Sequence, residues 1–160
     1  MKNRRGRVEL LLTVIDQAYE KKAWHGTNLK GSIRGLTAEE ALWTPSNQRH
    51  SIRDLVLHAA YWKYTVRRRL LREKRGSFPL KGSNFFPLDG EFGEKEWRDC
   101  VKLLDEQHRL LRTAVSDLAD EDLTVKSGKY VISDLVHGIA GHDLYHAGQI
   151  QLLKRLREVT

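Results

Sequence analysis

The sequence is poor in cysteine, methionine and proline, and it contains no long apolar run. Among its 160 residues there are one cysteine, one methionine and three prolines. Because Cys100 has no second cysteine to pair with, an intramolecular disulfide is excluded and a reducing compartment is favoured. No apolar stretch approaches the roughly 20 residues that a helix needs to cross a bilayer, and the N-terminus lacks the apolar core of a signal peptide. We therefore expect a soluble, cytoplasmic protein without a membrane-spanning segment.

The charge balance is basic, with 28 Lys and Arg residues against 21 Asp and Glu residues and a formal net charge of +7. Two clusters, at residues 2–7 and 67–75, supply much of this charge. The second cluster is expected at the end of a helix, where cations are favourable for the helix macrodipole. No motif that reads nucleic-acid bases accompanies either cluster, so the charge alone does not favour a nucleic-acid partner.

Apolar residues recur at helical spacing in four long segments, and no segment has a convincing strand pattern. The periodicity predicts helices over residues 5–24, 51–75 and 97–118, and from residues 131–133 to about 158. A short helix from Thr37 through Leu42 is also expected, because Thr37 and Glu40 have capping-box spacing. The chain is predicted to form one domain over residues 1–160, an all-α four-helix bundle with long connections before and after the second helix. The connection at 76–93 could span that helix at roughly 3.3 Å per residue, so the third helix is predicted to run parallel to the second.

Two histidines lie four residues apart on the core-facing stripe of the fourth helix. His142 and His146 project from one helix face a single turn apart. Neutral imidazoles on an apolar stripe cost free energy unless they are partnered, and a cation held by both, with a ligand from another helix, would partner them. His58, on the inner stripe of the second helix, is the candidate third ligand. Three histidine ligands and one open coordination position are typical of a catalytic metal site. The alternative is that the three histidines are core residues that bind no metal.

The pattern disfavours one familiar class of metalloenzyme and leaves the roles of several accessory residues open. Asp143 follows His142 where a zincin carries glutamate, which disfavours a metalloprotease. Trp62, one turn after His58, and Gln149, three residues after His146, are candidates for contacts with a ligand. His108, on the seam of the third helix, is interpreted as a core residue, with a supporting hydrogen bond to the site or a substrate contact as alternatives.

Three glycines form a second stripe on the fourth helix, at Gly138, Gly141 and Gly148. Each costs about 1 kcal/mol relative to alanine in a helix, so the stripe indicates a requirement for space. We expect close packing by a neighbouring helix or a dimer mate, with room for a ligand as the alternative.

Two segments of the chain resemble the signature segments of the DinB family, within the DinB/YfiT-like superfamily. They are the stretch from Ser51 to Trp62, which contains His58, and the stretch from His142 to Ile150. The resemblance extends from the first helix to Leu156. It implies a four-helix bundle of up-down-down-up order and a divalent metal held by three histidines, which map onto His58, His142 and His146. It also implies a homodimer, and the related enzymes include S-transferases that use bacillithiol or mycothiol and a maleylpyruvate isomerase.

We therefore interpret the chain as a metal-dependent enzyme that acts on a small molecule. Zn²⁺, Ni²⁺, Fe²⁺ or Mn²⁺ would suit three imidazoles and could lower the pKa of a low-molecular-weight thiol cosubstrate for S-transfer, or activate water for hydrolysis. The alternative is a non-enzymatic stress-response or interaction bundle in which the metal is structural or absent. No catalytic residue is assigned, because Asp54 and Asp143, the nearby carboxylates, lie off the histidine stripe.

Overall fold

The computed structural model describes residues 6–159, so most of the basic cluster at residues 2–7 lies outside the described chain. The helices are α1 (Gly6–Tyr19), α2 (Leu29–Ser32), α3 (Ala38–Leu42), α4 (Ile52–Leu70), α5 (Glu94–Ser116) and α6 (Ile132–Glu158). The four long ones, α1, α4, α5 and α6, form the bundle, which confirms the predicted all-α fold. Within residues 6–159 no helix has the length and apolarity that crossing a membrane would require.

Contacts between the long helices establish their directions. Asp120, just after α5, accepts hydrogen bonds from the backbone N–H groups of Arg7 and Val8 at 3.1 and 2.9 Å. Arg112 of α5 pairs with Asp16 of α1 at 2.7 Å. The start of α1 therefore lies beside the end of α5, and these two helices are antiparallel.

Helices α4 and α5 run in the same direction, as the long connection predicts. The core has two apolar clusters, one toward each end of the bundle. The first contains Val66, Leu70, Leu111 and Val115, and the second contains Leu55, Val56, Ala59, Ala60, Trp97 and Leu104. The early residues of α4 thus pack with the early residues of α5. Because α6 returns antiparallel to α4, the order along the chain is up-down-down-up.

The start of α4 follows from its sequence and fixes the position of His58. Ser51 Oγ accepts a hydrogen bond from the Asp54 N–H at 3.2 Å, and Asp54 Oδ2 accepts one from the Ser51 N–H at 3.0 Å. This reciprocal capping box begins the helix at Ile52. His58 consequently lies in the second turn of α4, on a face that is buried against α6.

Two predicted helix ends are wrong, because both helices stop before the predicted residue. Helix α4 ends at Leu70 rather than near residue 75, because Arg72 is in the left-handed region with φ of 55°. The Glu73 N–H then donates to the Arg68 carbonyl at 2.9 Å, which closes a Schellman motif. Helix α1 ends at Tyr19 rather than at residue 24, where the Lys21 N–H donates to the Asp16 carbonyl at 2.7 Å.

A small hairpin precedes α6, although the sequence predicts no strand. Strands β1 (Lys126–Ser127) and β2 (Tyr130–Val131) pair antiparallel, with Gly128 at φ of 65° in the turn. Two-residue strands are too short to show alternation, which is why the sequence pattern does not reveal them.

Candidate metal centre

Three imidazoles converge between α4 and α6. His58 projects from α4, and His142 and His146 project from α6. The Nε2 atom of His142 lies 3.0 Å from Nε2 of His58 and 3.1 Å from Nε2 of His146. Imidazole nitrogens that bind one tetrahedral zinc ion at about 2.05 Å lie about 3.3 Å apart. The three histidines singled out in the sequence are therefore brought together at close to the spacing of metal ligands.

Hydrogen bonds on the far side of two rings orient the Nε2 atoms of His58 and His146, whereas Nδ1 of His142 has no partner among residues 6–159. Nδ1 of His58 lies 3.1 Å from the backbone carbonyl oxygen of Asn84, and Nδ1 of His146 lies 2.6 Å from Oε1 of Gln149. Because these oxygens accept hydrogen bonds, each Nδ1 carries the proton and each Nε2 presents a lone pair. Nε2 of His142 can donate to one of them at most. A divalent cation would satisfy all three nitrogens, so the donor set fits a metal.

The protonation of the cluster also suits a metal. Burial and the neighbouring His146 lower the pKa of His58 to about 4 and that of His142 to about 3. Burial lowers the pKa of His146 as well, and its hydrogen bond with Gln149 partly opposes this effect. Neutral imidazole is the form that binds metals, so protons do not compete for these nitrogens near neutral pH.

The connection between α4 and α5 covers one side of the cluster. The Phe85 ring stacks on the His58 ring with centroids 4.4 Å apart, and His50 stacks on Phe85 at 3.7 Å. The indole N–H of Trp62 donates to Oδ1 of Asn84 at 2.9 Å. Sequence reasoning missed Asn84 and Phe85 because both lie in a loop without periodicity. One feature of the sequence could have indicated the turn at Asn84, because asparagine tolerates the left-handed conformation better than most residues. Asn84 adopts this conformation, with φ of 67°.

The accessory residues named from the sequence lie in two different places. Trp62 and Gln149 adjoin the cluster, with the Trp62 ring 6.3 Å from the rings of both His58 and His142. His108 lies deeper, stacked on Tyr19 at 3.7 Å, with its Nδ1 atom 3.3 Å from Nζ of Lys63. Burial, and then Lys63, lower the pKa of His108 to about 2, so it is a neutral residue of the bundle interior.

Sequence reasoning also missed a buried ion pair beside the metal centre. Lys63 of α4 and Asp143 of α6 are 0% and 1% exposed and are hydrogen-bonded to each other. Burial lowers the pKa of Lys63 and raises that of Asp143, while their mutual attraction opposes both changes. The sequence could have indicated this pair, because Asp143 lies at helical spacing between Ala140 and Ala147, on a face of α6 that is otherwise apolar.

The surroundings of the cluster include a cavity of about 240 Å³ that His142 lines. Within residues 6–159 the cluster itself contains three potential ligands and no fourth. A larger cavity of about 580 Å³, lined by Lys30, Trp97 and Asp105, contains none of the three histidines. The smaller cavity is therefore the one that bears on any chemistry at the cluster.

The glycine stripe on α6 faces open space. Apart from the adjacent residues and the backbone of α6 itself, a Cβ atom added at Gly138, Gly141 or Gly148 would meet no atom of residues 6–159 within 4 Å. Close packing by a neighbouring helix of the same described chain is therefore wrong as an explanation of the stripe. A dimer mate and room for a ligand are the explanations left.

Comparison with known protein families identifies the family of the chain. A family model described as the DinB superfamily matches residues 23–150, a range that includes all three histidines. No curated protein and no solved structure matches the chain.

Proposed function

Because the chain belongs to the DinB superfamily, a metal-binding family, we propose that it is a metal-dependent enzyme whose ligands are His58, His142 and His146. The observation that carries this proposal is the convergence of three Nε2 atoms without a fourth ligand from the described residues. Structural zinc sites are closed by four protein ligands, whereas catalytic sites keep one position for water or substrate. A cavity beside His142 supports the catalytic interpretation over a purely structural metal.

The proposed reaction is S-transfer from a low-molecular-weight thiol to an electrophilic small molecule, with hydrolysis as the second reaction to screen. A bound Zn²⁺, Ni²⁺, Fe²⁺ or Mn²⁺ would supply a Lewis acid that lowers the pKa of a thiol or of water. The protein's part is to hold its ligands rigidly, through Asn84 on His58 and Gln149 on His146. Neither Asp54, which caps α4, nor Asp143, which pairs with Lys63, is free to act as a general base.

We also propose that the protein acts as a homodimer in the cytoplasm. The exposed face of α6 supports a dimer, because Tyr145 and Leu152 are 65% and 57% exposed beside the open glycine stripe. A lone free cysteine is compatible with a reducing compartment. Sedimentation of the purified protein over a range of concentrations tests the dimer directly.

The first test of the metal centre compares two histidines of α6. Protein purified without an affinity tag is expected to contain about one equivalent of divalent metal per chain, measured by mass spectrometry. His146→Ala should lose this metal, because only two ligands are left. His137→Ala is the matched control, since His137 is exposed on the same helix and outside the cluster. Equal metal contents in the two variants, or no metal in wild-type protein after reconstitution, would contradict the proposal.

The second test addresses the reaction itself. The reconstituted wild-type protein and His146→Ala are assayed with a panel of thiols and electrophiles and with ester and amide substrates. Turnover that requires both the metal and His146 supports the enzyme. Full metal occupancy without turnover across both panels would favour the non-enzymatic alternative.

A further inference from the structure

The cavity beside His142 has an apolar wall that runs along α4 and α6, away from the histidines. Trp62 and Val66 line it from α4, and Leu135 and Ile139 line it from α6. Val66, Leu135 and Ile139 are buried, and Trp62 is partly buried with its indole N–H already bonded to Asn84. The wall thus offers apolar and aromatic surface and few polar groups. Surface of this kind binds an apolar body and excludes water from it.

The far end of the cavity carries a cation, Arg69, that forms no ion pair with a carboxylate of the described residues. Arg69 lies seven residues after Trp62, which places it about 10 Å farther along the helix axis. Its side chain forms no ion pair within 4.0 Å with any carboxylate of residues 6–159. Asp134 lines the same end, but it lies in the first turn of α6, where the helix macrodipole stabilises a negative charge. An arginine that pairs with no carboxylate of residues 6–159 is suited to bind the carboxylate of a ligand through two parallel hydrogen bonds.

The volume of the cavity suits a small occupant, although the cavity is open to solvent on one side. At about 240 Å³ it lies just below the range of about 300–1,000 Å³ that is usual for sites of drug-sized ligands. Gly138 forms part of the lining, and a Cβ atom added there would meet no neighbouring atom within 4 Å. The absence of a side chain at residue 138 therefore keeps part of this space open, which gives one glycine of the stripe a specific role.

We propose that this cavity is the substrate site of the proposed enzyme and that it binds a small organic acid with an apolar, preferably aromatic, body. The carboxylate lies at Arg69, the body lies between Val66 and Ile139, and the opposite end reaches His142, the one member of the histidine cluster that lines the cavity. This inference rests on the proposed function for its reacting end. The shape and charge of the cavity do not depend on it.

The first experiment tests the charge at the far end. Naphthalene-2-carboxylate and its uncharged amide are titrated by calorimetry into protein reconstituted with Co²⁺. Arg69→Gln should weaken carboxylate binding about tenfold and leave amide binding unchanged, because only the acid uses the guanidinium. Asp134→Asn should have the opposite effect and strengthen carboxylate binding, because it removes the one anion at that end. Carboxylate binding that is unaffected by both substitutions would overturn the placement of the acid group.

The second experiment fills the cavity. Gly138→Leu should weaken both probes about tenfold or more, because its side chain occupies the space of the apolar body. Gly148→Leu is the matched control, since it lies on the same exposed stripe of α6 and outside the cavity. Sedimentation of both variants separates a filled cavity from a disrupted dimer, which Gly148→Leu would also cause. Equal probe affinities in the two variants would show that the probes bind elsewhere and would overturn the inference.

The Co²⁺ ion separates failure of this inference from failure of the proposed function. Its visible absorption spectrum should change when naphthalene-2-carboxylate binds, as the occupant approaches the ligand shell. Stoichiometric Co²⁺ binding without any probe binding would overturn the substrate site and leave the metal centre intact. If Co²⁺ does not bind, the proposed function fails, and titration of the metal-free protein with the same variants still tests the cavity.

Discussion

Asn84 is the residue through which the connection between α4 and α5 acts on the metal centre. Its backbone carbonyl accepts the hydrogen bond that orients His58, and its side chain accepts one from Trp62. It also adopts a left-handed conformation, with φ of 67°, that costs most residues free energy. One residue thus links the tautomer of His58 to the aromatic wall of the neighbouring cavity.

Asn84→Gly is expected to weaken metal binding without removing a ligand. Glycine retains the left-handed backbone and the carbonyl oxygen, but it loses the bond that holds the loop to Trp62. Removing a residue that orients a ligand typically lowers metal affinity by about 10- to 100-fold, and we expect the lower end here. Competition with a chromophoric chelator measures the change.

The Trp62→Phe variant provides the control for this prediction. It removes the same hydrogen bond from the other side, so the double variant should bind metal no more weakly than the weaker single variant. Additive losses in the double variant would show that Asn84 and Trp62 act on the metal centre independently.

At the scale of helices, the start of α4 is predictable from the sequence and its end is not. The capping box is formed by the side chains of Ser51 and Asp54, so the sequence identifies it and predicts the start of α4 correctly. The end of α4 depends on the left-handed conformation of Arg72, a residue type that gives no sign of it. Glycine is the usual residue at this position of a Schellman motif, because it has no Cβ atom to clash.

Arg72→Gly is therefore expected to stabilise the protein. Relief of the left-handed strain is partly offset by the greater entropy of glycine in the unfolded chain, so we expect a gain of about 0.5–1 kcal/mol in the free energy of unfolding. Lys74→Gly is the control, since it removes an equal charge from the same loop at a residue without a positive φ. Urea denaturation measures both, and an equal gain in the control would show that the loss of charge is responsible.

The same division between side-chain pattern and backbone explains how much of the candidate site the sequence reveals. His58, His142 and His146 lie on helical stripes, so their spacing alone predicts that they share a face. Asn84 contributes its main-chain carbonyl from a non-periodic loop, which no residue pattern encodes. The sequence therefore predicts the bundle and the convergence of the three histidines, and it misses the contacts that hold these histidines in place.

For the molecule as a whole, a polar layer separates the two halves of the core. Lys63, His108 and Asp143 lie between the apolar cluster that contains Val66 and Leu111 and the cluster that contains Ala60 and Leu104. The layer links α4, α5 and α6 at one level of the bundle. Because a buried ion pair is compatible with only one axial alignment of its helices, it can fix the register that brings His58 opposite His142.

Variants of Lys63 and Asp143 distinguish a contribution of the ion pair to folding stability from a role in aligning α4 with α6. Lys63→Met alone should lower the free energy of unfolding by about 3–5 kcal/mol, because it leaves Asp143 buried without its partner. The double variant Lys63→Met/Asp143→Leu should recover most of that loss, since apolar side chains of similar size replace a buried pair at little net cost. If the pair sets the register, the recovered protein should still bind metal at least tenfold more weakly than wild type, because the three Nε2 atoms no longer converge in one fixed geometry. Wild-type metal affinity in the double variant would show instead that apolar packing alone aligns α4 with α6, and that the ion pair is dispensable for the metal centre.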